Sequence, residues 1–382
     1  MRFLYTGDGQ GEARERAALA ARIDAVLHSV AEAGHDEVTI ASLIARIHPD
    51  LDAELLRDEC LVVVTPRGER RVRPLAAFVA ERASKVDGLR FTTHRPARAF
   101  DEMVATVRRE HGFELSSAQA RAGFSRGHLL ELVIYGDGFG SATDERALAA
   151  AERAAEVLLG ERVTDDWVGR IDAEPLPRGG ALRVVQRDAA PRFPLAELPQ
   201  AVARAVEGLA RELPDLAGLT APREGWVLFE SEPEACSEYA AQDDVALASG
   251  ALPEMLKCFL EGAPFSSKRF VRGGARVVYL KTDAGGASFE DRVARRAKLE
   301  DDLATSLSAR RLGAVVGNGL GLRYAYVDLA LAPEPAALSV VCEVARSAGV
   351  SRRSWLLFCD SDLADEWVGV WPDTPPPPAL VP

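Results

Sequence analysis

A tyrosine-rich segment near the C-terminus is the best candidate for a binding site in this sequence. In Tyr324-Ala325-Tyr326-Val327-Asp328-Leu329, tyrosine or aspartate alternates with an apolar residue. Because successive side chains of a β-strand point to opposite faces, the alternation predicts that Tyr324, Tyr326 and Asp328 share one face. Tyrosines on an open sheet face can stack against nucleic-acid bases. The alternative is that a neighbouring repeat or a second subunit covers them.

Two strings of the sequence resemble those that contact bases in RNA-recognition motifs. Val278-Tyr279-Leu280-Lys281 resembles the string on the first strand of that motif, and the tyrosine-rich segment resembles the string on its third strand. Arg323 stands where the motif has glycine. The resemblance implies that single-stranded RNA stacks on this sheet face. The candidate binding residues are therefore Tyr279, Lys281, Tyr324, Tyr326 and Asp328.

Two glycine-containing motifs could indicate catalysis or phosphate binding, but their context favours turns. Gly123-Phe124-Ser125-Arg126-Gly127 spells the G-x-S-x-G string of α/β-hydrolases, yet a helical pattern precedes it and a strand pattern follows, which reverses the nucleophile elbow. All six histidines lie at or before His128, which follows Ser125 by only three residues, so no histidine lies far enough downstream to complete the usual Ser, acid, His order of a triad. Gly7-x-Gly9-x-Gly11 lacks the spacing and the lysine of a phosphate-binding loop. We therefore expect no catalytic residues and no cofactor.

Two further motifs lie near the C-terminus. Gly317-Asn318-Gly319-Leu320-Gly321 is flanked by strand patterns, so its glycines predict a hairpin connection with positive φ angles. Asp360-Ser361-Asp362-Leu363-Ala364-Asp365-Glu366 departs from the calcium-loop pattern after its second acid. Asp360 or Ser361 is better suited to cap a helix. We expect no metal site.

The elements that must position these residues form a pattern that occurs twice. Each copy reads as strand, long helix, two strands, helix and strand, which is the β-α-β-β-α-β order of a ferredoxin-like fold. Similar strings open the two long helices at 140–146 and 286–292, and similar apolar strands close the copies at 226–232 and 355–362. The expected fold class is α+β, with tandem ferredoxin-like antiparallel sheet modules preceded by an N-terminal α+β unit.

The repeat divides the 382 residues into five segments. Prolines and glycines mark the boundary between the two copies, and the consecutive prolines of the tail predict an extended, solvated chain. The segments are an N-terminal α+β unit (1–125), a first ferredoxin-like module (126–232), a partly helical linker (233–275), a second ferredoxin-like module (276–371) and a proline-rich tail (372–382).

The charge of the chain is negative and unevenly distributed. Its net charge is −12, and residues 126–269 carry 25 acidic and 15 basic side chains. Such a surface disfavours nonspecific binding to nucleic acid or to an anionic membrane, and it is compatible with a basic protein partner. No apolar run approaches the roughly 20 residues that span a bilayer, and residues 1–10 lack the apolar core of a secretory signal. We therefore expect a cytoplasmic protein.

Parts of the chain resemble bacterial families of unknown activity. The tyrosine-rich segment together with residues 362–372 resembles the C-terminal module of uncharacterised proteins from myxobacteria-type genomes. Residues 48–199, including His48-Pro49-Asp50-Leu51 and 194–199, are similar to another bacterial domain of unknown function. The resemblance implies tandem ferredoxin-like domains and provides no catalytic residues to transfer.

The sequence favours a non-catalytic binding or regulatory protein of unknown ligand, because a well-specified scaffold accompanies no complete catalytic constellation. One alternative is an inhibitor or immunity-like protein whose acidic middle module masks a basic protein partner. Another is a protein that binds single-stranded RNA through Tyr324 and Tyr326. The remaining alternative is an enzyme, because a cleft between modules can gather side chains that are distant in sequence.

Overall fold

The chain folds into two compact units, one of which is inserted in the sequence of the other. The structure is a computed structural model that describes residues 10–66, 68–83, 86–140, 144–176, 191–220 and 226–378. The first unit comprises Met1–Thr93, Pro214–Phe259 and Pro264–Pro382, and the second comprises His94–Leu213 with Leu260–Ala263. Within the described residues, no helix is both long and apolar enough to cross a lipid bilayer.

The N-terminal part of the first unit packs three helices against a small sheet. Its elements are α1 (Gln10–Ala33), α2 (Glu37–Ala45), β1 (Leu51–Leu56), β2 (Leu61–Pro66), α3 (Arg73–Ala83) and β3 (Arg90–Thr92). β2 is the central strand, antiparallel to β1 and parallel to β3. Ile23 of α1, Ile44 of α2 and Val64 of β2 share one buried apolar core. This part is the α+β structure that the sequence predicts.

The second unit is built around a four-stranded sheet. Its elements are α4 (Phe100–His111), β4 (Gln119–Phe124), β5 (Leu130–Gly136), α5 (Glu145–Leu159), α6 (Glu161–Trp167), β6 (Val168–Pro175), β7 (Phe193–Pro194) and α7 (Leu198–Glu212). The strands lie in the order β6-β5-β4-β7, and β5 is parallel to β6. Asp144 caps α5, because its carboxylate accepts hydrogen bonds from the backbone nitrogens of Arg146 and Ala147. Alternating Leu130, Leu132 and Ile134 pack against the alanine-rich face of this helix.

The structure differs from the first predicted ferredoxin-like module, residues 126–232. β5 and β6 are adjacent and parallel, whereas the β-α-β-β-α-β order places another strand between them. The boundary expected at residue 126 lies inside the β4–β5 hairpin. Leu182, Val184 and Val185, which the repeat aligns with the tyrosine-rich strand, lie outside the described residues. Local alternation identifies β5 as a strand but does not determine which strands it pairs with.

The C-terminal part of the first unit contains a seven-stranded antiparallel sheet. Its elements are β8 (Val227–Glu230), β9 (Val245–Gly250), α8 (Pro253–Leu260), β10 (Arg276–Asp283), α9 (Phe289–Arg310), β11 (Gly313–Gly321), β12 (Tyr324–Leu331), α10 (Pro335–Ser347), β13 (Ser354–Phe358) and β14 (Trp367–Gly369). The strands lie in the order β14-β13-β10-β12-β11-β9-β8. The strand expected to close the first module is therefore an edge strand of this sheet.

Helices α9 and α10 cover one face of the seven-stranded sheet. Val327, Leu329 and Leu331 of β12 pack there with Leu303 of α9 and Val341 of α10. These are the alternate residues that the sequence assigns to the helix-covered face. The elements β10-α9-β11-β12-α10-β13 follow the chain order β-α-β-β-α-β, and their strands lie in the order β13-β10-β12-β11.

The predicted linker and tail also differ from the structure. Residues 233–275 contain β9, which pairs with both β8 and β11, so this segment belongs to the sheet. It also contains α8, as the predicted partly helical character requires. The described part of the tail begins in a turn and is not wholly solvated, because the indole Nε1 of Trp355 donates a hydrogen bond to the Pro375 carbonyl at 2.6 Å.

Candidate functional site

The sheet face opposite α9 and α10 brings the five candidate binding residues together. Lys281 of β10 lies directly opposite Tyr326 of β12, and Tyr279 lies directly opposite Asp328. Residues that are directly opposite on antiparallel strands point to the same face. Tyr324, two residues before Tyr326, therefore shares this face with them.

The chain's own residues 231–244, which we call the strap, cover this face. Tyr324 and Tyr326 are fully buried and form an aromatic cluster with Tyr239 of the strap. The rings of Tyr324 and Trp355 meet edge to face, with centroids 6.1 Å apart. The sequence predicts an open sheet face on which bases could stack. That prediction is wrong, because these tyrosines are buried and present no surface to a base. The cover is a segment that the sequence assigns to a linker, rather than a neighbouring repeat or a second subunit.

Lys281 lies beneath the strap with 0% of its surface exposed. Its Nζ donates hydrogen bonds to the carbonyl oxygens of Tyr239 and Ala241, at 2.6 and 2.8 Å, and lies 4.1 Å from the ring centroid of Tyr324. Ala241 has a φ of +34°, which is uncommon for a residue with a side chain. Burial lowers the pKa of Lys281 to about 8, although the nearby Asp244 favours the cation. The amine thus holds two backbone carbonyls of the strap.

Asp244 anchors the end of the strap from a fully buried position. Its carboxylate accepts hydrogen bonds from the Tyr326 hydroxyl and from the backbone nitrogens of Arg323 and Tyr324, the latter two at 2.8 Å. Burial, reinforced by the charge of Asp244, raises the pKa of Tyr326, so its hydroxyl remains a donor. A Cβ on Gly321 would overlap this carboxylate. This glycine lies within β11 and permits the close approach of Asp244, instead of forming the predicted hairpin connection.

A network of ion pairs joins Glu238, in the middle of the strap, to the sheet. Asp283 accepts hydrogen bonds from Arg323 Nη2 and Arg353 Nε, both at 2.9 Å. Glu238 accepts from the Tyr324 hydroxyl at 2.6 Å and from Arg353 Nη2 at 2.8 Å, and the bond from Tyr324 lowers the pKa of Glu238. Burial and the bond to Glu238 raise the pKa of Tyr324 to about 12. The two guanidinium groups are balanced by two carboxylates, so this end of the face is electrically neutral.

Asp328 occupies a tight position above a glycine of the neighbouring strand. Its Oδ1 accepts a hydrogen bond from Gln242 Nε2 of the strap at 3.0 Å. Burial raises the pKa of Asp328 to about 6, although the bond from Gln242 opposes this. Gly317 lies opposite Asp328, and a Cβ there would lie 2.5 Å from Asp328 Oδ2. The glycine provides the space that the carboxylate needs.

Sequence reasoning missed the residues that complete this cluster. Trp355 lies opposite Lys281 on β13, but it stands in a continuous apolar run whose sequence does not show which side chains share a face. Arg323 departs from the RNA-recognition pattern, and its ion pair with Asp283 explains the departure. Asp244 and Glu238 carry no comparable signal, because the strap has no regular periodicity.

The remaining motifs have structural roles in the described residues. Ser125 lies at the β4–β5 connection, and its hydroxyl donates a hydrogen bond to the Leu129 carbonyl at 3.2 Å. Gly7 and Gly9 lie outside the described residues. Asp360 does not cap a helix with its side chain. Its carboxylate instead accepts from the backbone nitrogen and hydroxyl of Ser267, at 2.6 and 2.7 Å.

The candidate face is suited to holding the strap rather than to turning over a substrate. The amine of Lys281, the hydroxyls of Tyr324 and Tyr326 and the carboxylate of Asp328 all bond to side chains or backbone carbonyls of the strap, and these four residues lie beneath it. In the described part of the chain, no group of three or more His, Cys, Asp and Glu residues is arranged to hold a metal ion. No family model, curated protein or solved structure matches this chain.

Proposed function

We propose that this protein is a non-catalytic binding or regulatory protein. The observation that carries the proposal is the burial of Lys281, Tyr324 and Tyr326, whose polar atoms are engaged by the strap. A catalytic acid, base or nucleophile must come within hydrogen-bond reach of a substrate. Groups enclosed in this way instead stabilise the surface that the protein presents to a partner.

We propose further that residues 276–371 form a ferredoxin-like module. The support is the strand order β13-β10-β12-β11 with α9 and α10 on one face, which agrees with the split β-α-β arrangement of that fold. The free face of such a sheet is a common binding surface. Here the strap occupies that face, so we look to the edges of the sheet for a surface that binds a partner.

The partner that we propose is a basic protein, as in an inhibitor or immunity-like protein. Residues 226–244, which contain β8 and the strap, include six acidic residues and neither lysine nor arginine. Glu230, Glu232 and Glu234 are exposed. Complementary charge accelerates association and makes it sensitive to salt. This arrangement supports a basic partner over nucleic acid, whose phosphates the same carboxylates would repel.

The location that we propose is the cytoplasm. None of the five cysteines, including the exposed Cys236, forms a disulfide. Unpaired thiols are usual in a reducing compartment, whereas secreted proteins commonly pair them. Thiol titration tests this location. Lysates quenched at harvest should contain the protein with all its thiols reduced, as in protein purified with reductant, whatever happens to protein purified under air.

The proposed function is tested by isolating and reconstituting a complex. The full-length chain is used as bait at about 0.05 M salt and eluted at about 0.5 M, because screening by salt weakens surface charge pairs. A partner counts only if it is stoichiometric, has a basic isoelectric point and rebinds when both proteins are purified separately. Failure to find such a protein under any growth condition, or turnover of a substrate by the chain alone, would overturn the proposal.

A further inference from the structure

Strand β8 forms one edge of the seven-stranded sheet and, within the described residues, pairs with β9 alone. Ser231, one residue beyond β8, donates its N–H to the Ala246 carbonyl at 2.9 Å. Hydrogen-bonded residues alternate along an antiparallel pair, so Phe229 faces β9 in the same way. The N–H and C=O groups of Leu228 and Glu230 consequently point away from the sheet.

β8 also exposes apolar side chains beside these backbone groups. Val227 is 42% exposed and Leu228 is 62% exposed, and as neighbours in a strand they project from opposite faces. Natural proteins usually protect edge strands by charge, by shortness or by a covering segment. The other edge, β14, has three residues and leads into the proline-rich tail, whereas β8 has four residues and exposes two apolar side chains. β8 therefore offers an additional strand both outward-pointing N–H and C=O groups and apolar side chains to contact.

The charges around this edge specify what kind of strand fits. Glu230, Glu232 and Glu234 are exposed at alternate positions from the end of β8 onward. In an extended chain, alternate residues are about 7 Å apart, which is also the spacing of alternate side chains on a second strand. A strand added beside β8 with basic residues at every second position would place a cation beside Glu230, and its continuation would approach the acidic start of the strap, where Glu232 and Glu234 are exposed. A second copy of β8 would bring like charges together across the pair, which is destabilising.

We infer that β8 binds an extended segment of the partner protein by β-strand addition, and that this segment carries basic residues at alternate positions with apolar residues between them. The inference rests on the proposed function, and it names the surface and the chemistry of the partner. Leu228 and Glu230 supply the outward main-chain hydrogen bonds, Val227 and Leu228 supply apolar contact, and the glutamates select basic residues.

The first test uses synthetic peptides with the full-length protein. The probe is a fluorescent, end-capped peptide of alternating lysine and valine, seven residues long, and binding is followed by anisotropy. One control replaces each lysine with glutamate, and another carries an N-methyl group on every residue, which removes the backbone donors from both edges of the strand. We expect the lysine peptide to bind at least about tenfold more tightly than either control, because charge and main-chain bonds both contribute.

The second test uses variants of the protein. Leu228→Pro removes an outward N–H without breaking a bond to β9, because proline is tolerated where the missing donor faces outward at an edge. Combined Glu230→Lys, Glu232→Lys and Glu234→Lys reverses the charge of the edge. The matched control reverses Glu32, Glu207 and Glu343, whose side chains are 71%, 67% and 64% exposed elsewhere. We expect both edge variants to weaken peptide binding by about tenfold or more, and the control to stay within about twofold.

The outcomes separate this inference from the proposed function. Amide hydrogen exchange at Leu228 and Glu230 should slow when the lysine peptide binds, because their N–H groups gain acceptors. Equal binding of the N-methylated peptide, or dimerisation through β8 without peptide binding, would overturn strand addition even if Leu228→Pro failed to fold. A natural partner that binds Leu228→Pro and the edge charge reversal as well as it binds wild type would overturn β8 as the site while leaving the proposed function intact.

Discussion

The hydroxyl of Tyr326 donates a hydrogen bond to the carboxylate of Asp244, a residue 82 positions earlier in the sequence. Both residues are fully buried, and Asp244 also accepts bonds from the backbone nitrogens of Arg323 and Tyr324, at the start of β12. A buried carboxylate is stabilised only where donors replace its lost hydration. This bond therefore links the strap to the sheet at the point where the loss of one donor is most costly.

Tyr326→Phe tests this link by removing only the hydroxyl. We expect the free energy of unfolding to fall by about 2 to 3 kcal/mol, because a buried charged acceptor loses a donor. Tyr324→Phe is the matched control, since its hydroxyl bonds to the partly exposed Glu238 of the strap, and we expect a loss of about 1 kcal/mol. Urea unfolding followed by tryptophan fluorescence measures both. Equal losses in the two variants would contradict the anchoring role of Asp244.

Gly321→Ala tests the space that the same carboxylate occupies. The new methyl group would overlap Asp244, so we expect the strap to be displaced and stability to fall by about 3 kcal/mol or more, as in overpacked cores. Gly319→Ala is the matched control on the same strand and face, because its Cβ would lie 3.5 Å from Tyr326, an ordinary contact. Protease sensitivity near the exposed Cys236 should rise in the first variant only. Unchanged protease sensitivity in Gly321→Ala would contradict the close fit between Gly321 and the carboxylate of Asp244.

Lys281→Met tests the hydrogen bonds that the buried amine donates to the strap, through the pH dependence of stability. The pKa of Lys281 falls from 10.5 to about 8 on folding, so the unfolded state holds more protons between these values and wild-type stability rises with pH there. The unfolding free energy of wild type minus that of the variant should therefore increase by about 3 kcal/mol from pH 8 to about 10.5. Lys257→Met, at a lysine that is 44% exposed, is the control. A difference that stays constant with pH would contradict the buried cation.

Asp328→Asn should stabilise the protein at neutral pH. The pKa of Asp328 rises from 3.8 to about 6 on folding, so its contribution to stability is full below pH 3.8 and is lost as the pH rises through 6. The isosteric amide avoids that loss and keeps an oxygen for Gln242, so we expect a gain of about 2 kcal/mol at pH 7 that vanishes near pH 4. Asp302→Asn, at an exposed helical carboxylate, should show no such gain. A loss of stability at pH 7 would show that the charge is needed.

Much of the C-terminal fold could be predicted because its patterns are local. Alternation at 324–331 identified β12 and its helix-covered face, and the strings at 140–146 and 286–292 marked the starts of α5 and α9. The pairing of strands in the second unit could not be predicted, because β5 alternates in the same way whether its neighbour is parallel or antiparallel.

The sequence could not predict that the strap covers the candidate site, and the reason is different. Tyr239 and Asp244 precede the strands that they contact by about 40 to 85 residues, and no periodicity marks them. Their positions depend on single contacts, such as the one between Asp244 and Gly321, that only the assembled sheet creates. Residue types at 279, 281, 324, 326 and 328 indicated one shared face correctly, but they did not indicate that the face is closed.

The strap also sets an order of events during synthesis. Asp244 leaves the ribosome 82 residues before Tyr326, an interval of roughly 4 to 16 s at ordinary rates of translation. For most of that interval β9 lacks the inner strand β11 against which it pairs, and the strap lacks the β12 tyrosines that it covers. The acidic composition of the strap suits a segment that is exposed to water before the sheet is complete. The strap can therefore close over the sheet only after β12 has been made.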